Sequence, residues 1–188
     1  TTSATCARVL KVLQAIDKTR ALLVAVQMLQ TGTEVARLCA LQFVDGLCLK
    51  AEYHDELMAV VRNDSKGLLR ALAALLQFPA FCDKAPNPAE TTMVNLCKLP
   101  GALAGEAVQW LNGVDDLVGR VESAVGDRGG VGNAKGFELL MLLAPGAAMR
   151  LLASHLRDPC AQVRRGRMAI VAELLKSARA EVEGSSDG

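Results

Sequence analysis

The 188-residue chain sets 21 basic against 20 acidic residues, and a net charge of +1 gives no reason to expect a nucleic-acid partner. Apolar residues make up 51% but aromatics only 3%, which requires an aliphatic core and favours helices over strands. No apolar run approaches the ~20 residues that span a bilayer, and neither an initiator methionine nor a signal-peptide pattern is present.

The hydrophobic period predicts an all-α chain of about eleven short helices. The first two run from Ala4 to Ile16 and from Thr19 to Gln30, ended by Thr31-Gly32-Thr33. Thr33 is expected to cap a third helix from Glu34 to about Lys50, with Val35, Leu38, Leu41, Val44 and Leu47 on one face. A short helix from Asp55 to Arg62 precedes Asn63-Asp64-Ser65, read as a stop and an N-cap for the helix from Lys66 to Phe78. The segment from Pro79 to Pro88, with three of the six prolines, reads as a loop.

Helices resume from Ala89 to Leu99, Ala102 to Leu111 and Val114 to Val125, up to the glycine-rich stretch from Gly126 to Gly132. Three more follow: Asn133 to Leu143, Gly146 to Arg157, and Pro159 to about Glu183. Pro145 and Pro159 both suit a first helical turn, where the missing donor is not needed. One domain is expected over residues 1–183, with a disordered tail at 184–188.

Cys6, Cys39, Cys48, Cys82, Cys97 and Cys160 are widely spaced, form no Cys-x-x-Cys, and mostly sit among aliphatic residues. Such cysteines behave as small buried hydrophobes in a reducing compartment, so a cytoplasmic protein is expected, with the nucleus as the alternative.

Chemistry-bearing groups are sparse. His54 and His155 are far apart, Ser154 and His155 point in different directions on a helix, and no cysteine pair has zinc-ligand spacing. The run from Gly129 to Gly136 imitates a phosphate-binding loop, but Gly136 stands where the magnesium-binding hydroxyl is needed, and no strand precedes it. No catalytic residue, metal or cofactor is expected. Trp110, the only tryptophan, reads as a core anchor, or as a binding residue if exposed. Arg164, Arg165 and Arg167 form the one dense basic cluster: if Val163, Ile170 and Leu174 are buried, Arg164 and Arg165 project away and Arg167 flanks the buried stripe.

Four segments can be superposed with Leu47, Leu96, Leu139 and Leu174 equivalent, at separations of 49, 43 and 35 residues. Within them, Thr91-Thr92-Met93-Val94-Asn95-Leu96-Cys97 resembles the third helix of an armadillo repeat, where an asparagine commonly precedes Leu-Ala or Leu-Cys. Asp158-Pro159-Cys160-Ala161-Gln162-Val163-Arg164-Arg165 is similar to the Asp-Pro-x-x-x-Val-Arg turn between HEAT or armadillo helices. The resemblance covers residues 33–176 and implies a right-handed α-solenoid of about four short repeats, whose units span about 40 to 47 residues in those families. Gly46, Glu138 and Glu173 replace the groove asparagine, and Thr91 stands where a tryptophan would precede Asn95.

One asparagine makes no ladder for an extended peptide. The function expected is therefore a non-catalytic scaffold that binds a protein partner, as a folded surface, helix or segment, along the third helices. The contact candidates are Thr91, Asn95, Lys98, Lys135, Glu138, Arg164 and Arg165. Self-association as a homodimer, within a larger cytoskeletal or signalling protein, is the alternative; a helical enzyme is the third.

Overall fold

The computed structural model describes residues 3–63, 65–82, 86–127 and 134–184, and every regular element among them is helical. The α-helices are α1 (Ser3–Ile16), α2 (Lys18–Thr31), α3 (Glu34–Cys48), α4 (His54–Asn63), α5 (Ser65–Leu75), α6 (Pro79–Cys82), α7 (Pro88–Cys97), α8 (Ala102–Asn112), α9 (Leu117–Asp127), α10 (Ala134–Leu143), α11 (Pro145–Leu156) and α12 (Ala161–Gly184). A 3-10 turn at Ala51–Tyr53 leads into α4. No helix is long and apolar enough to cross a membrane among the described residues.

Local chemistry fixes the helix starts. The Asp17 carboxylate accepts from the Arg20 amide at 2.9 Å, and the Thr33 hydroxyl accepts from the Ala36 amide at 3.4 Å, as the sequence predicts for α3. Asn87 and Glu90 form a reciprocal capping box ahead of α7, with Pro88 in its first turn. Gly101 enters α8 at φ 63°, a backbone conformation that a side chain would strain.

Four departures from the sequence expectation have physical causes. The segment predicted as a loop contains α6, because Pro79 is suited to an initial turn. Pro159 lies before α12 instead of within it: the Asp158 carboxylate accepts from the Cys160 amide at 2.7 Å, a side-chain turn that delays the helix to Ala161. Asp116 sits at φ 56°, so α9 begins at Leu117 and not at Val114. The helix expected to reach Phe78 stops at Leu75, because the Leu76, Gln77 and Phe78 amides donate to the Ala73, Ala74 and Leu75 carbonyls, a tightening that ends the α-helical ladder. Asp64, residues 83–85, most of the glycine-rich stretch (128–133) and the expected tail from 185 lie outside the described residues, as does the Ser65 side chain.

One continuous core joins the helices, from Leu10 of α1 to Ile170 of α12. Helix α2 packs against α1, α3, α4 and α5, and α10 packs against α7, α9 and α11. Between them, α3 lies against α7 and α7 lies against α10. Their aligned leucines Leu47, Leu96 and Leu139 are all buried, each contributing about 1.5–3 kcal/mol of apolar transfer free energy. The core thins toward the end of the chain. Helix α11 buries only Ala147 and Ala148, while Met149, Met168 and Leu175 are exposed.

Candidate interaction surface

The packing of α3, α7 and α10 brings six polar side chains into a seam across the three helices. At one end Asp45 of α3 accepts from the Asn95 side-chain amide of α7 at 3.2 Å and is also hydrogen-bonded to Thr92. The Thr92 hydroxyl lies 3.1 Å from the Pro88 carbonyl as well, so its single proton has two acceptors. Burial raises the Asp45 pKa above its ordinary value, against the opposing pull of Thr92 and Asn95. When Asp45 is protonated it can donate to Thr92, and Thr92 is then free to donate to Pro88.

The other end is ionic. Glu138 of α10 is 2.7 Å from the ammonium of Lys98, the C-cap of α7, and 2.8 Å from that of Lys135, one turn earlier on α10. Burial alone would raise the Glu138 pKa, but hydrogen bonds from Lys135 and Lys98 outweigh it and hold the group below the ordinary value. The carboxylate side chain is 13% exposed and both lysines are 37% exposed, so this end presents two cations over a recessed anion.

Thus Asn95, Lys98, Lys135 and Glu138 share one row. Thr91 is half-buried on α7, its hydroxyl 3.5 Å from the Asn87 carbonyl. Gly46, at the position equivalent to Asn95, faces open space where a side chain would point. The side chains of Glu173 and Leu174, the fourth aligned pair, lie outside the described residues.

The arginine cluster on α12 is separate and its members differ. Arg165 is exposed. Arg164 turns back and donates to the Asp158 and Pro159 carbonyls at 2.6 and 2.9 Å, bracing the turn between α11 and α12. Arg167 is fully buried and donates to the Val125 carbonyl at 2.7 Å, placing a cation at the negative end of α9. Its Nε has no hydrogen-bond partner, and burial lowers its pKa. His155 of α11 is pushed below its ordinary pKa by burial and by the charge of Arg167.

Trp110 is 38% exposed, contrary to the core position expected for it, and its indole donates to Glu106 at 3.3 Å. Glu106 is itself clasped by Arg62 of α4 through bonds of 2.6 and 2.7 Å, which tie α4 to α8. His54 is buried at the start of α4 and donates from Nε2 to the Cys48 carbonyl at 2.8 Å, a structural bond.

Cys6, Cys39, Cys48, Cys97 and Cys160 are free thiols, and burial pushes Cys48 and Cys97 up to about 12, far from thiolate reactivity. No group of three or more histidine, cysteine or acidic side chains converges on a metal-sized site among the described residues. The chain matches no protein family, no curated protein and no solved structure.

Sequence reasoning missed Asp45 and Thr92, which complete the seam, and the inward course of Arg167. Asp45 lies four residues after Leu41 and three before Cys48, spacings that put it beside two buried side chains on α3.

Proposed function

We propose that the chain is a non-catalytic protein-interaction scaffold, an armadillo/HEAT-like right-handed α-solenoid of about four short repeats with its partner surface along α3, α7 and α10. The observation that carries the proposal is the side-by-side packing of these helices with Leu47, Leu96 and Leu139 beneath them and the row from Asp45 to Lys135 above. Repeat units cannot cover their apolar faces alone, and stacking neighbours removes those faces from water.

The row is already hydrogen-bonded within itself, so its pattern of charge is held in place before a partner arrives. Little side-chain entropy then remains to be lost on docking. A folded surface or helix with acidic groups placed over Lys98 and Lys135 suits this pattern better than a generic extended peptide.

Affinity capture with the intact domain tests the proposal. The exchange Lys98→Glu with Glu138→Lys retains an opposite-charge pair between α7 and α10 while replacing one of the two outward cations with an anion. Partners recovered by the original chain and lost with this folded double variant support the surface; equal recovery sets it aside.

Self-association is the second reading. It is favoured by exposed apolar residues at helical spacing on the outer helices: Val9, Val12 and Ile16 on α1, and Met168 and Leu175 on α12. Molecular mass in solution separates it from a monomeric scaffold.

A further inference from the structure

A second surface lies apart from the α3–α7–α10 row, where α2 and α5 meet the start of α3. A cleft of about 460 Å³ opens there, with Leu29, Ala71 and Leu75 among its apolar lining residues and Gln30, Arg37 and Arg70 among its polar ones. No acidic side chain lines it among the described residues. Two guanidinium groups thus border one partly apolar space, with no carboxylate among its described lining residues.

The two arginines are prepared differently. Arg37 is fixed: its guanidinium lies over the Phe78 ring at 4.4 Å from the centroid, and it donates to the Gln30 carbonyl at 3.0 Å. Its Nε is buried and has no hydrogen-bond partner among the described residues. Gln30 is held in turn by its own amide, which donates to the Gly67 carbonyl at 3.4 Å. Arg70 is exposed and makes no ion pair or hydrogen bond among the described residues. It also borders a smaller cleft of about 180 Å³ with Arg120 and Asp115, so its side chain has room to swing.

A guanidinium presents a planar fork of donors that fits a carboxylate, and a site that already orders one of its two forks loses less entropy on binding. The apolar lining adds contact that a small inorganic anion leaves unused and an aliphatic side chain fills. We propose that this cleft is a recognition site for an acidic peptide segment, with a carboxylate held between Arg37 and Arg70 and a neighbouring aliphatic side chain against Leu29, Ala71 and Leu75. This assignment rests on none of the residues of the third-helix row.

Fluorescence anisotropy of a short fluorescein-labelled peptide that alternates glutamate with leucine tests it. Binding is expected to saturate, to weaken as sodium chloride is raised, and to weaken roughly tenfold or more with Arg70→Gln. Arg70→Glu is expected to abolish it. Arg70 is exposed, so both variants keep the helical circular dichroism of the parent. Arg37→Gln probes the inner wall, and if it unfolds the chain the Arg70 pair decides alone.

Equal affinity for the parent and Arg70→Glu overturns the proposal. So does equal binding of the glutamine-for-glutamate peptide, which would make the cleft a purely apolar contact. Displacement of the labelled peptide by inorganic phosphate at matching concentration overturns it too, in favour of a small-anion site.

Discussion

The two ends of the seam over α3, α7 and α10 hold carboxylates under opposite rules. Asp45 is half-buried among neutral donors, and its pKa rises because desolvation outweighs the hydrogen bonds from Thr92 and Asn95. Glu138 is also partly buried, yet its pKa falls because Lys98 and Lys135 outweigh that burial. Position on a row does not fix a carboxylate's protonation. What decides is whether a neighbouring helix supplies a cation or only a dipole.

The largest expected effect falls on both ends alike. Leu139→Ala and Leu47→Ala each remove a buried side chain beneath the seam, and each is expected to destabilise the chain by about 3 kcal/mol in urea unfolding. A loss near zero at either position would mean that the helix above it is not anchored through that leucine.

Next comes Glu138→Gln, expected to lower stability by about 1 kcal/mol at neutral pH, a modest value because water reaches both lysines. Its depressed folded pKa means that the stabilisation is present above the ordinary carboxylate value of 4.5 and fades as pH falls through the folded one. The gap between parent and variant should therefore close in acid. A gap that persists there shows that shape, not charge, supports the seam.

Asp45→Asn sharpens the comparison through its sign. A raised folded pKa favours the protonated acid, so this contribution is complete below the ordinary value of 3.8 and is lost as pH rises through the folded one. The variant should match the parent in acid and be more stable at neutral pH, by under about 1 kcal/mol. Destabilisation at neutral pH would show that Asn95 and Thr92 outweigh burial after all.

The smallest effects distinguish the α12 arginines. Arg164→Gln is expected to cost about 0.5 kcal/mol by releasing the turn carbonyls, and Arg165→Gln less than that. Thermal unfolding of the two variants side by side decides the order.

Much of the helical layout was legible because it rests on local rules. Thr33 caps α3, Asn63 ends α4, and Pro145 opens α11 where periodicity and turn chemistry placed them. Of the seven contact candidates, Asn95, Lys98, Lys135 and Glu138 lie in one row, whereas Thr91 bonds back to Asn87 and Arg164 and Arg165 lie on α12, apart from it. Asp45 escaped because its partners are 47 and 50 positions away, and no period in one helix encodes a neighbour in another. The inward turn of Arg167 escaped for a related reason: charge predicts exposure unless a helix end waits inside to receive it. Arg37 and Arg70 carry no motif at all, since their shared cleft is made only when α5 docks beside α2 and α3.

The indole on α8 has a practical consequence. As the chain's lone tryptophan it supplies an intrinsic optical reporter, and its hydrogen-bond partner is the carboxylate that Arg62 grips from α4. Its emission should therefore register the undocking of those two helices in particular. A fluorescence transition that precedes the loss of far-ultraviolet ellipticity would expose a local opening hidden from bulk unfolding curves.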